Sequence, residues 1–320
     1  MPITPKLTEN QKKRLSILEP KLRNTVKIGN YNLAKTITID IQGVLRQSGH
    51  ETRLMQAKNW LFEAAMEAGH LKIAISGFQG IRKKCSPQTR VYLEATALQA
   101  ICYIREGQLD KAERMISEVL NKSKYIRSDR RRRQFKRRII LRFEEEVTLS
   151  ALKNTGDDQL DIDEIENQAG LTVQTKNEDE ILSDLGRNLP RKVINDLLRI
   201  HNFSGKELPY DERKLLPAPE EIIEEKALGR TVFSAFKRVL WRSLCDPDSD
   251  IYKVWFHNGL SFVLNKKYLG MAISAAMGGL HIGIKALAIS ATALIIKMGI
   301  ETYCTLYQPK GVMIEISEKD

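Results

Sequence analysis

One short pattern, recurring three times in the N-terminal third of the chain, limits the possible folds more than any other feature. Gly29-Asn30-Tyr31-Asn32-Leu33-Ala34, Gly69-His70-Leu71-Lys72-Ile73-Ala74 and Gly107-Gln108-Leu109-Asp110-Lys111-Ala112 share the form G-x-[YL]-x-x-A, with the glycines 40 and 38 residues apart. Each copy follows an apolar helical stretch, such as Trp60 to Ala65 or Ala97 to Tyr103, and leads into another, such as Ala112 to Leu120. The glycine supplies the positive φ that a tight helix–helix turn needs. The Tyr or Leu two residues on packs into the helix pair, and the alanine lets the second helix come close to the first. Self-similarity at this period predicts stacked helical hairpins.

These residues resemble the tetratricopeptide repeat, whose turn carries the same G-x-Y-x-x-A core. Tyr103, four residues before Gly107, and Phe78, nine after Gly69, also stand where that family places large apolar residues. The resemblance covers about residues 15–121. It departs from the family in its period, which exceeds the usual length of about 34 residues, and in lacking a closing proline at a consistent place. The resemblance implies a helical superhelix that presents a concave surface to a partner protein. It gives Gly29, Tyr31, Ala34, Gly69, Leu71, Ala74, Gly107, Leu109 and Ala112 structural roles at the turns, and implies binding rather than catalysis. A plain helical bundle with glycine turns is the alternative.

Charge is distributed very unevenly. The chain of 320 residues carries a net charge of +11, and its 42% hydrophobic and 28% charged content excludes global disorder. Residues 1–120 hold 19 Lys and Arg against 11 Asp and Glu; residues 121–143 hold 11 against 1; residues 144–189 hold 3 against 13; residues 190–320 hold 18 against 15. A strongly basic block is thus followed directly by an equally strong acidic one.

From Asp129 to Leu152 an apolar stripe of Phe135, Ile139, Ile140, Phe143, Val147 and Ala151 at helical spacing predicts one long amphipathic helix. Its N-terminal half is loaded with arginine, while Glu144, Glu145 and Glu146 come afterwards, the reverse of what a helix dipole favours. Like charges clustered at that end need an anion. The leading expectation is the phosphates of DNA or RNA, held by Lys122, Lys124, Arg127, Arg130, Arg131, Arg132, Arg133, Lys136, Arg137, Arg138 and Arg142. No base-reading motif is present, so such binding would follow the backbone and tolerate any sequence. A second candidate anion is internal: Asp157, Asp158, Asp161, Asp163, Glu164 and Glu166 lie in what reads as a flexible acidic arm over residues 154–189. A solvated charged helix with no ligand is the third reading.

Beyond the arm, residues 190–320 read as a C-terminal helical domain. Pro190 to Phe203 reads as a short helix, Pro219 opens another that runs to Cys245, and Ile251 to about Leu264 forms a third. Tyr268 to Ile296 is the apolar extreme of the chain, with Lys285 as its one fixed charge. Length alone permits a membrane span. Gly278, Gly279, Gly283 and the mid-segment Lys285 favour instead two buried helices broken near the glycines. Lys266, Lys267 and Lys297 flank the segment and keep a membrane-inserting hairpin as the alternative. The last helix is expected to end near Tyr307.

No catalytic motif emerges. None of the five histidines falls at i, i+3 or i+4 with another His or Cys, and His281 reads as a core histidine. Asp196 with Glu212-Arg213-Lys214 imitates a nuclease pattern, but no strand pair is expected to bring them together. The four cysteines form no CxxC, so no disulfide and no zinc site is expected, and Cys245 and Cys304 read as core thiols. No metal and no cofactor is implied. Met1 to Arg14 is polar and no apolar signal core follows it, so a cytoplasmic protein is expected, with membrane association through residues 268–296 as the alternative. The expected fold is all-α: residues 1–14 as a tail, 15–121 as repeats, 122–153 as the basic helix, 154–189 as the acidic arm and 190–320 as a helical domain with an apolar hairpin at 268–307. The expected function is a non-enzymatic scaffold that joins a partner protein to nucleic acid, and the alternative is a membrane-active effector.

Overall fold

A computed structural model describes residues 5–250, 252–253, 268–309 and 311–312. The helix expected from Ile251 to Leu264, and the flanking Lys266 and Lys267, lie outside the described residues. The fold is all-α. Sixteen α-helices and one 3₁₀ turn are present and no strand is found among the described residues. The chain divides into two compact units: Met1–Phe143 with Ser204–Arg213 and Lys310–Asp320, and Glu144–Phe203 with Lys214–Pro309. The boundary falls inside the long helix predicted from the apolar stripe.

In the first unit, α1 (Glu9–Ile28), α2 (Tyr31–Gln47), α3 (Glu51–Glu67), α4 (Leu71–Lys84), α5 (Arg90–Arg105) and α6 (Leu109–Lys122) form three consecutive hairpins. Each helix packs on the next, and α1 also packs on α3, and α3 on α5, so the first helices of the hairpins make a continuous layer. Helix α5 is buried at almost every position from Val91 to Ile104, enclosed by α3, α4 and α6. The turns follow the repeated pattern. Gly29, Gly69 and Gly107 have φ of +67°, +84° and +71°, while Ala34, Ala74 and Ala112 are fully buried. Tyr31, Leu71 and Leu109 are half-buried, with the Tyr31 ring edge-on to His70 at 5.3 Å between centroids. After a 3₁₀ turn at Ser123–Tyr125, α7 (Asp129–Leu152) crosses from the first unit into the second.

The second unit corrects the expected flexible arm. Residues 154–189 contain α8 (Ile162–Thr175) and α9 (Glu178–Arg187), which bury Ile165, Ala169, Ile181, Leu182 and Leu185. Acidic residues in their first turns suit the positive end of each helix, and Asp161 and Asn177 cap them. The remaining helices are α10 (Arg191–Lys206), α11 (Tyr210–Arg213, in the first unit), α12 (Pro219–Ile222), α13 (Glu225–Cys245), α14 (Tyr268–Gly278), α15 (Lys285–Met298) and α16 (Ile300–Leu306). Helix α13 packs on α9, α14 and α16, and α15 packs on α8, α9 and α14.

The apolar segment is therefore two helices, α14 and α15, broken near the glycines, with Leu287, Ala288, Ala291, Leu294 and Ile295 of α15 at most 2% exposed. No single helix among the described residues is long and apolar enough to cross a membrane; α15 and α16 together have the length but bend by 93°. The loop between α14 and α15 is held by the acidic segment. Gly283 N–H donates to the Thr155 carbonyl at 2.8 Å, Asp158 N–H to the Gly283 carbonyl at 2.9 Å, and Lys285 N–H to the Asp158 carboxylate at 2.9 Å. His281, read from sequence as a core residue, is exposed in this loop with φ +54°. Cys245 and Cys304 are a second correction: their Cα atoms lie 5.4 Å apart and the two sulfurs are joined in a disulfide that ties α13 to α16. Their separation of 59 residues hid the pairing, because no local spacing signals it.

Candidate nucleic-acid interface

Helix α7 sorts its cations by phase. Phe135, Ile139, Ile140 and Phe143 are at most 2% exposed, and the side opposite to them carries the solvent-facing Arg130, Arg133, Arg137 and Leu141, with Arg131 exposed at its flank. Lys124 and Arg127, just before the helix, are exposed as well. Arg127, Arg130, Arg133 and Arg137 have no hydrogen-bond or ion-pair partner among the described residues. Three of them, at 130, 133 and 137, repeat at the i, i+3, i+7 spacing that aligns side chains along one helical face.

The other predicted cations are not equivalent to these. Lys136 is 6% exposed and pairs with Glu212 at 2.8 Å, and Arg142 is 5% exposed and reaches Glu67 at 3.5 Å. Both face inward and hold the first unit together, so neither belongs to an anion-binding surface. Their phase was readable: Lys136 lies three, four and seven residues before Ile139, Ile140 and Phe143. Lys122 is also engaged, with Glu118 at 2.6 Å and the Tyr92 hydroxyl at 3.1 Å. Burial works to raise the Glu118 carboxyl, but hydrogen bonds from Lys122 and Tyr92 and the charge of Arg82 hold it below its ordinary value. Arg132 pairs with Asp129 in the first turn, and Arg138 is half-buried. Tyr125 is exposed beneath Lys124, whereas Phe135 is core and offers no stacking surface.

The acids of the second unit have partners of their own. Glu144 accepts from His201 Nδ1 at 2.7 Å; Glu145 is bonded by Ser234 and lies near Lys237 and Arg238; Glu146 faces Arg238. Asp158 and Glu164 serve Lys285, whose ammonium is raised above its ordinary value by the hydrogen bond that it donates to Glu164. Asp179 pairs with Lys226 and Arg230, and Asp184 with Lys176 and Arg187. These acids thus pair within their own unit.

The nuclease-like residues are likewise used elsewhere, Asp196 with Lys192 at 3.2 Å and Glu212 with Lys136. What the sequence reading missed is a row of buried polar side chains in the hairpin stack: Asn59, Glu63, Glu94 and Gln99 are at most 2% exposed. The signal was an acid inside an apolar run, Trp60-Leu61-Phe62-Glu63-Ala64-Ala65. Comparison with known protein families, with curated proteins and with solved structures finds no match to this chain.

Proposed function

We propose that the protein is a non-enzymatic adaptor: a hairpin stack of tetratricopeptide-repeat type holds a partner protein, and the first half of α7 holds nucleic-acid phosphates. The observation that carries the second part is the set Arg127, Arg130, Arg133 and Arg137, exposed and without partners among the described residues. Guanidinium groups match phosphate oxygens in pairs, and a helical row of them follows a phosphate backbone without reading bases. The turns Gly29, Gly69 and Gly107 and the layered packing of α1, α3 and α5 support the repeat reading. The membrane-insertion reading has less support, because a hairpin of α14 and α15 would have to withdraw residues now buried inside the second unit.

The test is binding of a labelled duplex and a labelled single strand of mixed sequence to the full chain at low salt. Arg130→Glu, Arg133→Glu and Arg137→Glu together should abolish binding with helix content unchanged. Unchanged binding would refute the assignment.

A further inference from the structure

The row of buried acids in the hairpin stack is satisfied from two different sources. Glu94 on α5 accepts from Gln56 at 2.6 Å and Arg90 at 2.8 Å, and Glu67 on α3 from Arg105 at 2.8 Å, all side chains of the stack itself. Glu63, one turn from Glu67 on the same face of α3, is 1% exposed and receives no such donor. Its one hydrogen bond among the described residues comes from the main chain of Val312, whose N–H meets Oε1 at 2.6 Å across a separation of 249 residues. Its second oxygen, Oε2, accepts nothing there, and neither does Oδ1 of Asn59, one turn earlier and also 1% exposed.

Buried oxygens without a hydrogen-bond partner are costly, and this face of α3 carries two that the side chains of the stack do not fill. Asn59 and Glu63 stand about 6 Å apart along the helix axis. A Cβ at Gly311 would lie 2.9 Å from Oε2 of Glu63, so a side chain there would have to push that carboxyl group aside. Val312 next to it is buried, 4% exposed.

We propose that the face of α3 bearing Asn59 and Glu63 is a main-chain peptide groove, and that its occupant is the chain's own C-terminal segment, seated through Gly311 and Val312. The groove recognises a main chain with glycine followed by an apolar residue. The proposal is independent of the polyanion reading, since Arg127, Arg130, Arg133 and Arg137 take no part in it.

Amide exchange in the full chain, read site by site with mass spectrometry, tests it. Val312 should exchange at least about a hundredfold more slowly than in a free peptide of residues 308–320. Gly311→Val should remove that protection while circular dichroism stays unchanged. The labelled wild-type peptide should then bind this variant in trans at least about tenfold more tightly than it binds the wild type, whose groove is filled. Adding Glu63→Leu to Gly311→Val should abolish that binding. Free exchange at Val312 in the wild type overturns the proposal, even if the variants fail to fold. Equal binding of the peptide by the wild type and Gly311→Val, or binding retained without Glu63, also overturns it.

Discussion

Gly186 of α9 and Gly229 of α13 form a close helix crossing in the second unit, each set against a main-chain carbonyl of the other helix. A Cβ on Gly186 would run into the carbonyl of Glu225, and one on Gly229 into that of Leu182. Both neighbours are backbone, so neither yields by a rotamer change. The crossing brings together Leu182 and Leu185 of α9 with Leu228 and Val232 of α13, all buried, and it converts the acidic segment from a polar linker into a packed wall.

Gly186→Ala and Gly229→Ala should therefore each destabilise the protein by about 3 kcal/mol, the upper part of the range for overpacked sites. Gly80→Ala is the control. Gly80 lies inside α4 with open space where its Cβ would go, and the substitution should add about 0.5–1 kcal/mol through helix propensity. Urea unfolding of the three variants checks the contrast.

The basic face makes a quantitative prediction. If about four phosphates are held, the logarithm of the duplex association constant should fall against the logarithm of salt with a slope near about −3.6, and each of Arg130→Ala, Arg133→Ala and Arg137→Ala should reduce it by about 0.9. Lys136→Ala should leave the slope untouched and instead lower stability by about 1–3 kcal/mol, because Glu212 then loses its partner. Titrations at several salt concentrations, with melts in parallel, separate the two classes of cation.

Much of this division was legible. The stripe from Phe135 to Ala151 located both the length and the buried side of α7, and the three G-x-[YL]-x-x-A copies located the turns, because local backbone geometry and helical phase are written in consecutive residues. The glycine break between α14 and α15 was legible for the same reason. The acidic segment was misread because its charge was weighed above its pattern: Ile165 and Ala169, then Ile181 and Leu185, stand four residues apart and mark two amphipathic helices. The features that stayed hidden depend on partners far along the chain. Gly186 meets Gly229, Cys245 meets Cys304 and Glu63 meets Val312, and no window of sequence contains both members of any of these pairs.

The disulfide gives a chemical prediction. Unfolded without reductant, the protein should titrate two thiols, Cys85 and Cys102, rather than four. Cys304→Ser should lower stability by about 2–4 kcal/mol, since the bond closes a long loop and restricts the unfolded chain. Four free thiols in the purified protein would contradict the pairing.

Glu63 predicts how stability depends on pH. Burial pushes its carboxyl up to about 8, beyond what the hydrogen bond from Val312 N–H restores; Glu67 and Glu94 add to the rise and Arg142 opposes it. The folded protein therefore keeps a proton that the unfolded chain has lost above its ordinary value of 4.5. The contribution is fully present below pH 4.5 and is lost as the pH rises towards 8, with a slope of at most about 1.4 kcal/mol per pH unit for one proton. Glu94, also raised by burial, acts in the same direction. Glu63→Gln retains an acceptor for the Val312 amide and carries no charge at any pH. It should match the wild type near pH 5, exceed it at pH 8 and flatten the decline between them. Denaturant midpoints measured from pH 5 to 8 check this, and parallel curves for the two proteins would show that Glu63 does not hold its proton in the folded state.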